Sequence, residues 1–280
     1  MSSVTDRIKQ IKQPWGGYLK PSTFDQIVCQ DGLILNETEN ISASIVGMAV
    51  DYLSRCFVHG RRDQAFSISL EGAEIAEELG KKGSEKAAAK LLRHIKRLDE
   101  KSIISACKLV SFDLWKRNTI AAMMSDSTYE DINPDQATIE NIQIMVRRGV
   151  SFFKTYGPIL TEGFTFDPPG GTEKQYAKMI KTGKGSFGGY TPTVDSGDGD
   201  FLTENTIWDF KVSNAKPTSK HTLQLLMYWI MGQHSGQDIY KGITKLGIFN
   251  PRLNTVFLMD IEKIPQETIE TIEREVICYK

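Results

Sequence analysis

The chain of 280 residues carries 34 basic and 35 acidic residues, and a net charge of −1 argues neither for nor against a polyanionic partner. Its 40% hydrophobic and 25% charged content is that of an ordinary globular protein, long enough for one elaborated domain or two lobes. The four cysteines, Cys29, Cys56, Cys107 and Cys278, stand singly, without the close pairing of a zinc or redox motif, and read as reduced, mostly buried thiols. No apolar run near the N-terminus resembles a signal peptide, and no stretch approaches the roughly 18 uncharged apolar residues that span a bilayer. A cytoplasmic protein with no membrane partner is expected.

Residues 1–40 are mixed and turn-rich, and Trp15-Gly16-Gly17-Tyr18 reads as a loop that packs an aromatic. Ile45, Val46, Ala49, Val50 and Leu53 recur at helical spacing and predict an amphipathic helix over 42–55, with Asp51 among its polar members. A short apolar run follows at 65–70. Residues 71–157 read almost wholly helical: Ser84 caps a helix running to about residue 98, a second spans 101–123, and Asp135 opens a third through residue 153.

After Tyr156-Gly157-Pro158 the pattern changes. Period-two or apolar runs at 159–166, 190–194, 199–203, 206–212, 245–249 and 255–261 predict strands. An apolar helix over 219–231 falls between the fourth and fifth, and Pro265 opens a closing amphipathic helix. The fold class is therefore α/β (α+β), with a mixed central sheet flanked by helices and a helical N-terminal or inserted lobe.

Chemistry concentrates in residues 198–228. In Ile207-Trp208-Asp209-Phe210-Lys211-Val212 alternate side chains share a face, so Asp209 and Lys211 point one way and the large apolar residues the other. A two-residue turn at Glu204-Asn205 sets Asp200, on the preceding strand, directly opposite Asp209. Like charges so placed on an apolar hairpin are destabilising unless a proton or a cation lies between them. A magnesium ion, which favours oxygen ligands and takes one or two carboxylates, resolves that conflict, and Lys211 beside it would orient the attacking water and offset charge on a phosphate. On the following apolar helix the polar exceptions Gln224 and Tyr228 lie four apart on one face, extended by His221.

The run Gly199-Asp200-Phe201-Leu202, then Trp208-Asp209-Phe210-Lys211, then Gln224-x-x-x-Tyr228 resembles the PD-(D/E)xK nuclease superfamily in its RecB-like branch. The resemblance covers about 75 residues and implies a restriction-endonuclease-like core over 158–280, which the helix in 41–70 would complete. It implies hydrolysis of DNA phosphodiester bonds with Mg2+, or Mn2+ in its place. Asp200, Asp209 and the Phe210 carbonyl would be metal ligands, Lys211 the catalytic lysine, and Gln224 and Tyr228 positioning groups. The family also uses an acid or histidine on an early helix; Asp51 matches that placement, with Glu162 and Glu173 as rivals. Asp198, on the strand face of Asp200, is another candidate ligand. No four-cysteine iron–sulfur framework and no Walker A loop for a nucleotide accompany the core.

For DNA contact, Lys86, Lys90, Arg93 and Arg97 recur at helical spacing with Lys96 beside them. A second basic set, Lys174, Lys178, Lys181 and Lys184, leads through the glycine-rich residues 183–189 to the site strand, and Lys216, Lys220 and His221 flank the site helix. The acidic closing helix suggests a face for solvent or a protein partner, a second copy included. Two other functions stay open at this point: an inactive nuclease-fold DNA-binding or regulatory subunit, and an RNA-cleaving effector or toxin.

Overall fold

In the computed structural model residues 2–280 are described, and the chain divides into two compact units. Tyr156–Lys280 and the N-terminal stretch through Cys29 form one; Gln30–Thr155 form the other. The chain begins with α1 (Val4–Gln10), which Ser3 caps by accepting the Asp6 N–H at 3.0 Å, and β1 (Asp25–Val28). Both are too short for periodicity to announce them.

The helical unit contains α2 (Ala43–His59), α3 (Arg62–Ala65), α4 (Ser67–Glu78), α5 (Ser84–His94), α6 (Glu100–Leu109), α7 (Asp113–Arg117), α8 (Thr119–Met123) and most of α9 (Gln136–Tyr156). Ser42 caps α2 and Gly60, at φ 71°, ends it about one turn beyond the expected boundary. The apolar run at 65–70 is helical. Asp135 opens α9 as expected, accepting the Thr138 N–H at 2.8 Å. The helix expected over 101–123 is instead broken twice, by a 3-10 turn at Val110–Phe112 and by Asn118. The cause is packing. Gly72 of α4 lies so close that a Cβ there would come within 2.0 Å of the Phe112 carbonyl oxygen, and Tyr52 and Ser69 draw Asp113 into the interior.

The sheet unit continues with β2 (Thr161–Phe164), α10 (Glu173–Thr182), β3 (Gly199–Leu202), β4 (Thr206–Phe210), α11 (Ser219–Ser235), β5 (Lys245–Asn250), β6 (Thr255–Asp260) and α12 (Gln266–Thr271), which runs into a π-helical turn, Ile272–Ile277. The sheet order is β1-β6-β5-β4-β3-β2, antiparallel except for β4 beside β5. A parallel pair needs a crossover, and α11 supplies it. The structure is thus mixed α/β, a six-stranded sheet flanked by helices. Residues 190–194 make no strand, because the Thr191 hydroxyl closes them into a turn, accepting the Val194 N–H at 3.1 Å and donating to the Ile277 carbonyl at 2.6 Å.

One face of the sheet, Leu202, Ile207, Leu246, Ile248, Phe257 and Met259, packs on Leu223, Leu226, Met227 and Ile230 of α11. Each such side chain, fully buried, contributes about 1.5–3 kcal/mol. On the other face the Trp208 ring lies over Gly247, where a Cβ would meet ring carbons at 2.4 Å. The aromatic expected to pack in the 15–18 loop is Tyr18 and not Trp15. Gly16 and Gly17, both at positive φ, turn the chain so that Gly17 abuts Ser219 while Trp15 stays 94% exposed. Cys56 and Cys107 are buried, which pushes their thiols up to about 11 and about 12, whereas Cys29 is exposed. No helix among the described residues is long and apolar enough to cross a membrane.

Candidate active site on the hairpin

The β3–β4 hairpin is closed by the Thr203 N–H, which donates to the Thr206 carbonyl at 3.0 Å around the Glu204-Asn205 loop. Its register pairs Leu202 with Ile207 and Phe201 with Trp208, so the next residues to face each other are Asp200 and Asp209. Ile207 points toward α11, while Trp208 points away, stacked on Phe201 at 6.2 Å and edge-on to Tyr156 at 5.4 Å. Alternation then turns Asp209 toward α11. Asp200 takes up a main-chain donor: its Oδ2 accepts the Phe210 N–H at 2.6 Å, which fixes the carboxylate against the partner strand.

Asp209 is 3% exposed, and its Oδ1 receives the Lys211 Nζ at 2.8 Å. The Lys211 backbone N–H donates to the Phe249 carbonyl at 2.9 Å, tying this residue to β5 just past the end of β4. Its side chain remains partly exposed, so the ammonium lies between a buried carboxylate and solvent.

α11 brings the remaining groups. The Gln224 Nε2 donates to the Tyr228 hydroxyl at 2.7 Å, one turn along the helix. Tyr228 is buried, and burial is the chief cause that raises its phenol above the ordinary range; the Gln224 hydrogen bond opposes the rise, and Asp209, Asp200 and Asp198 add to it. Three acids are therefore felt at one hydroxyl. Gly199 explains how close this packing is: a Cβ there would come within 1.8 Å of the Phe164 ring, which itself stands edge-on to Tyr228 at 5.7 Å. Spacing in the sequence did not single out Phe164, which packs between Gly199 and Tyr228; the glycine immediately before Asp200 is the sign of that close contact.

His221 sits at the start of α11, where its Nδ1 accepts the Thr218 N–H at 3.2 Å. Burial first, and then the Lys211 charge, push its imidazole down to about 4. This is a neutral helix cap beside the lysine, a use that spacing did not suggest.

The other candidates belong to other elements. Asp51, in the helical unit, forms a bidentate pair with Arg55 at 2.8 and 3.0 Å. Glu162 pairs in register with Phe201 and so shares the sheet face of Trp208, opposite to that of Asp209. Glu173 is exposed in the first turn of α10, and that helix also displays Lys174, Lys178 and Lys181, with Lys184 just past its Gly183 cap. Asp198 is exposed and precedes β3. The Lys216 Nζ donates to Gln26 at 3.1 Å, and Lys220 is exposed. Lys86, Lys90 and Arg93 lie on α5, but Arg97 falls beyond its end and pairs with Asp99 at 2.5 Å, because the helix stops at His94.

Among the described residues no three His, Cys, Asp or Glu side chains converge as a ready ligand cluster. What the hairpin offers is two opposed carboxylates, a lysine and a tyrosine–glutamine pair. Comparison of the chain with protein-family models, with curated proteins and with solved structures gave no match.

Proposed function

We propose that this chain is a metal-dependent nuclease of the PD-(D/E)xK type that hydrolyses DNA phosphodiester bonds. The observation that carries the reading is the hairpin register, which opposes Asp200 and Asp209 on the face covered by α11, with Lys211 just past the end of β4 paired to Asp209. The order of three antiparallel strands, a crossover helix bearing Gln224 and Tyr228, and a parallel fourth strand supports it.

Two apposed carboxylates suit a hard divalent cation, magnesium or manganese, better than a soft one, and Asp200 and Asp209 would hold it. Such an ion, when bound, supplies a lowered pKa to coordinated water and counter-charge to the phosphate. The chain's own groups do the rest. Lys211, partly exposed beside Asp209, would present its ammonium to a phosphate oxygen or to the attacking water. Tyr228, held protonated by burial and by the three acids, remains a hydrogen-bond donor at any physiological pH, and Gln224 sets its direction. The Phe210 amide holds Asp200 still.

The deciding assay incubates the purified chain with single-stranded DNA, duplex DNA and RNA, in magnesium, in manganese and in EDTA. Cleavage of DNA that requires the metal and disappears in Asp209→Ala and in Lys211→Ala is the expected result. Absence of cleavage in every arm, or cleavage indifferent to both substitutions, refutes the reading; cleavage confined to RNA reassigns the substrate.

A further inference from the structure

Within the helical unit, α5 and α6 flank a cleft of about 760 Å³. Lys90 and His94 of α5, Lys101 and Lys108 of α6 and Tyr129 line it, together with the acids Asp99, Glu100 and Glu130. The turn between the helices is fastened, since the Ser102 hydroxyl donates to the His94 carbonyl at 3.1 Å and the Asp99 carboxylate accepts the Ser102 N–H at 2.9 Å. The two walls are thereby held at a set spacing.

The charges in this cleft are disposed unusually. Lys90 and Lys101, which line the cleft, and Arg93 and Lys96, which lie outside its lining, make no ion pair among the described residues, whereas two of the three acids that line it are engaged. Asp99 caps α6 and pairs with Arg97, Glu130 accepts the Tyr129 hydroxyl at 3.2 Å, and Glu100 is exposed in the first turn of α6. The ring of His94 registers the imbalance: burial first, then Lys101, Lys90, Arg93 and Lys96 in turn, lower its pKa. Lys90 from α5 and Lys101 from α6 line the cleft together with His94, an arrangement of cations that an anion would relieve. Tyr129, half-buried and backed by Phe112 at 5.4 Å, adds an aromatic face to the same cleft.

We infer that the α5–α6 cleft is a binding site for single-stranded nucleic acid, its phosphates lying along Lys90 and Lys101 and a base stacking on Tyr129. The choice of nucleic acid over another polyanion rests on the nuclease reading of the hairpin. Single-stranded form follows from the pairing of lysines with one aromatic platform, because a base can reach such a platform only when it is unpaired.

The test measures binding of a fluorescein-labelled oligothymidylate to the full chain in EDTA, across a salt series, beside the same strand annealed to its complement. The double variant Lys90→Ala/Lys101→Ala should flatten the slope of log K against log salt by roughly 1.4, two counterions at about 0.7 each. Tyr129→Leu should weaken the single strand roughly tenfold while leaving the slope as it was. An unchanged slope in the double variant, or equal binding of duplex with no effect of Tyr129→Leu, overturns the proposal. Since no metal is present, the outcome is separable from catalysis: a chain that binds as described but never cleaves keeps the cleft and loses the nuclease, and a chain that cleaves normally with the double variant's slope unchanged does the reverse.

Discussion

Asp113 in the helical unit and Asp209 in the sheet unit are both almost inaccessible, yet their surroundings differ in kind. Asp113 is met by donors: the Tyr52 hydroxyl at 2.6 Å, the Ser69 hydroxyl at 2.5 Å and the Arg117 guanidinium at 3.5 Å. Burial raises its pKa, and those donors only partly oppose the rise. Asp209 takes the Lys211 ammonium at 2.8 Å and stands across the hairpin from a second acid. A carboxylate ringed by donors is a way to join helices. One set against another carboxylate destabilises the hairpin unless a cation joins them, and so points to a ligand.

The widest separation between the two should appear on neutralising each. Asp209→Asn removes one of two apposed charges, so the chain should unfold at the same denaturant concentration or a slightly higher one, while cleavage falls by roughly three orders of magnitude. Asp113→Ala should do the opposite. It leaves two hydroxyls and a guanidinium without their acceptor, costs about 3 kcal/mol in denaturant unfolding, and leaves cleavage per folded molecule unchanged. An Asp209→Asn chain that loses stability in step with activity would erase the distinction and make Asp209 a structural acid.

Next in size is a test of the sheet itself. Gly247→Ala places a methyl 2.4 Å from the Trp208 ring, which is buried and has no room to turn. About 2 kcal/mol should be lost to overpacking, with a shift in tryptophan emission. Because Trp208 and Asp209 point to opposite faces of β4, cleavage should fall less than stability does. Equal losses would mean that the hairpin transmits strain from one face to the other.

The constellation at 198–228 was legible because its signals are local. Alternation set the faces of β4, the Glu204-Asn205 turn set the register, and a spacing of four put Gln224 under Tyr228. What was not legible depends on distant partners. β1 is a four-residue strand defined only by its pairing with β6, and the break at 110–118 is imposed by Gly72 and by the burial of Asp113. The end of α5 at His94, which removes Arg97 from the basic stripe, follows from the buried Ile95 and the fastened turn after it. The charge-bearing face of a helix can be read from spacing; whether those charges meet counter-charges cannot. That is why Lys90 and Lys101, from different helices, were not grouped.

The smallest expected effect concerns His221, and its sign is opposite to that of Asp113. An unfolded histidine titrates near 6.5, whereas in the fold burial and Lys211 hold the ring down to about 4. Between those values the unfolded chain binds more protons, so this contribution to stability is complete above 6.5 and is lost as the pH falls toward 4. The hydrogen bond gives the same direction, because Nδ1 must stay unprotonated to accept the Thr218 N–H. For Asp113, whose pKa is raised, the contribution is instead present at low pH and lost as the pH rises through its folded value. Allowing for the partial exposure of the imidazole, the His221 term should amount to about 1 kcal/mol across the window. Glutamine at this position can still accept the Thr218 amide, as it does at the third residue of a capping box. His221→Gln should therefore keep α11 capped and flatten the fall in stability below pH 6.5, measured by urea unfolding at a series of pH values. An undiminished fall in that variant would move the titration away from His221, and with it the claim that Lys211 projects its charge along the start of α11.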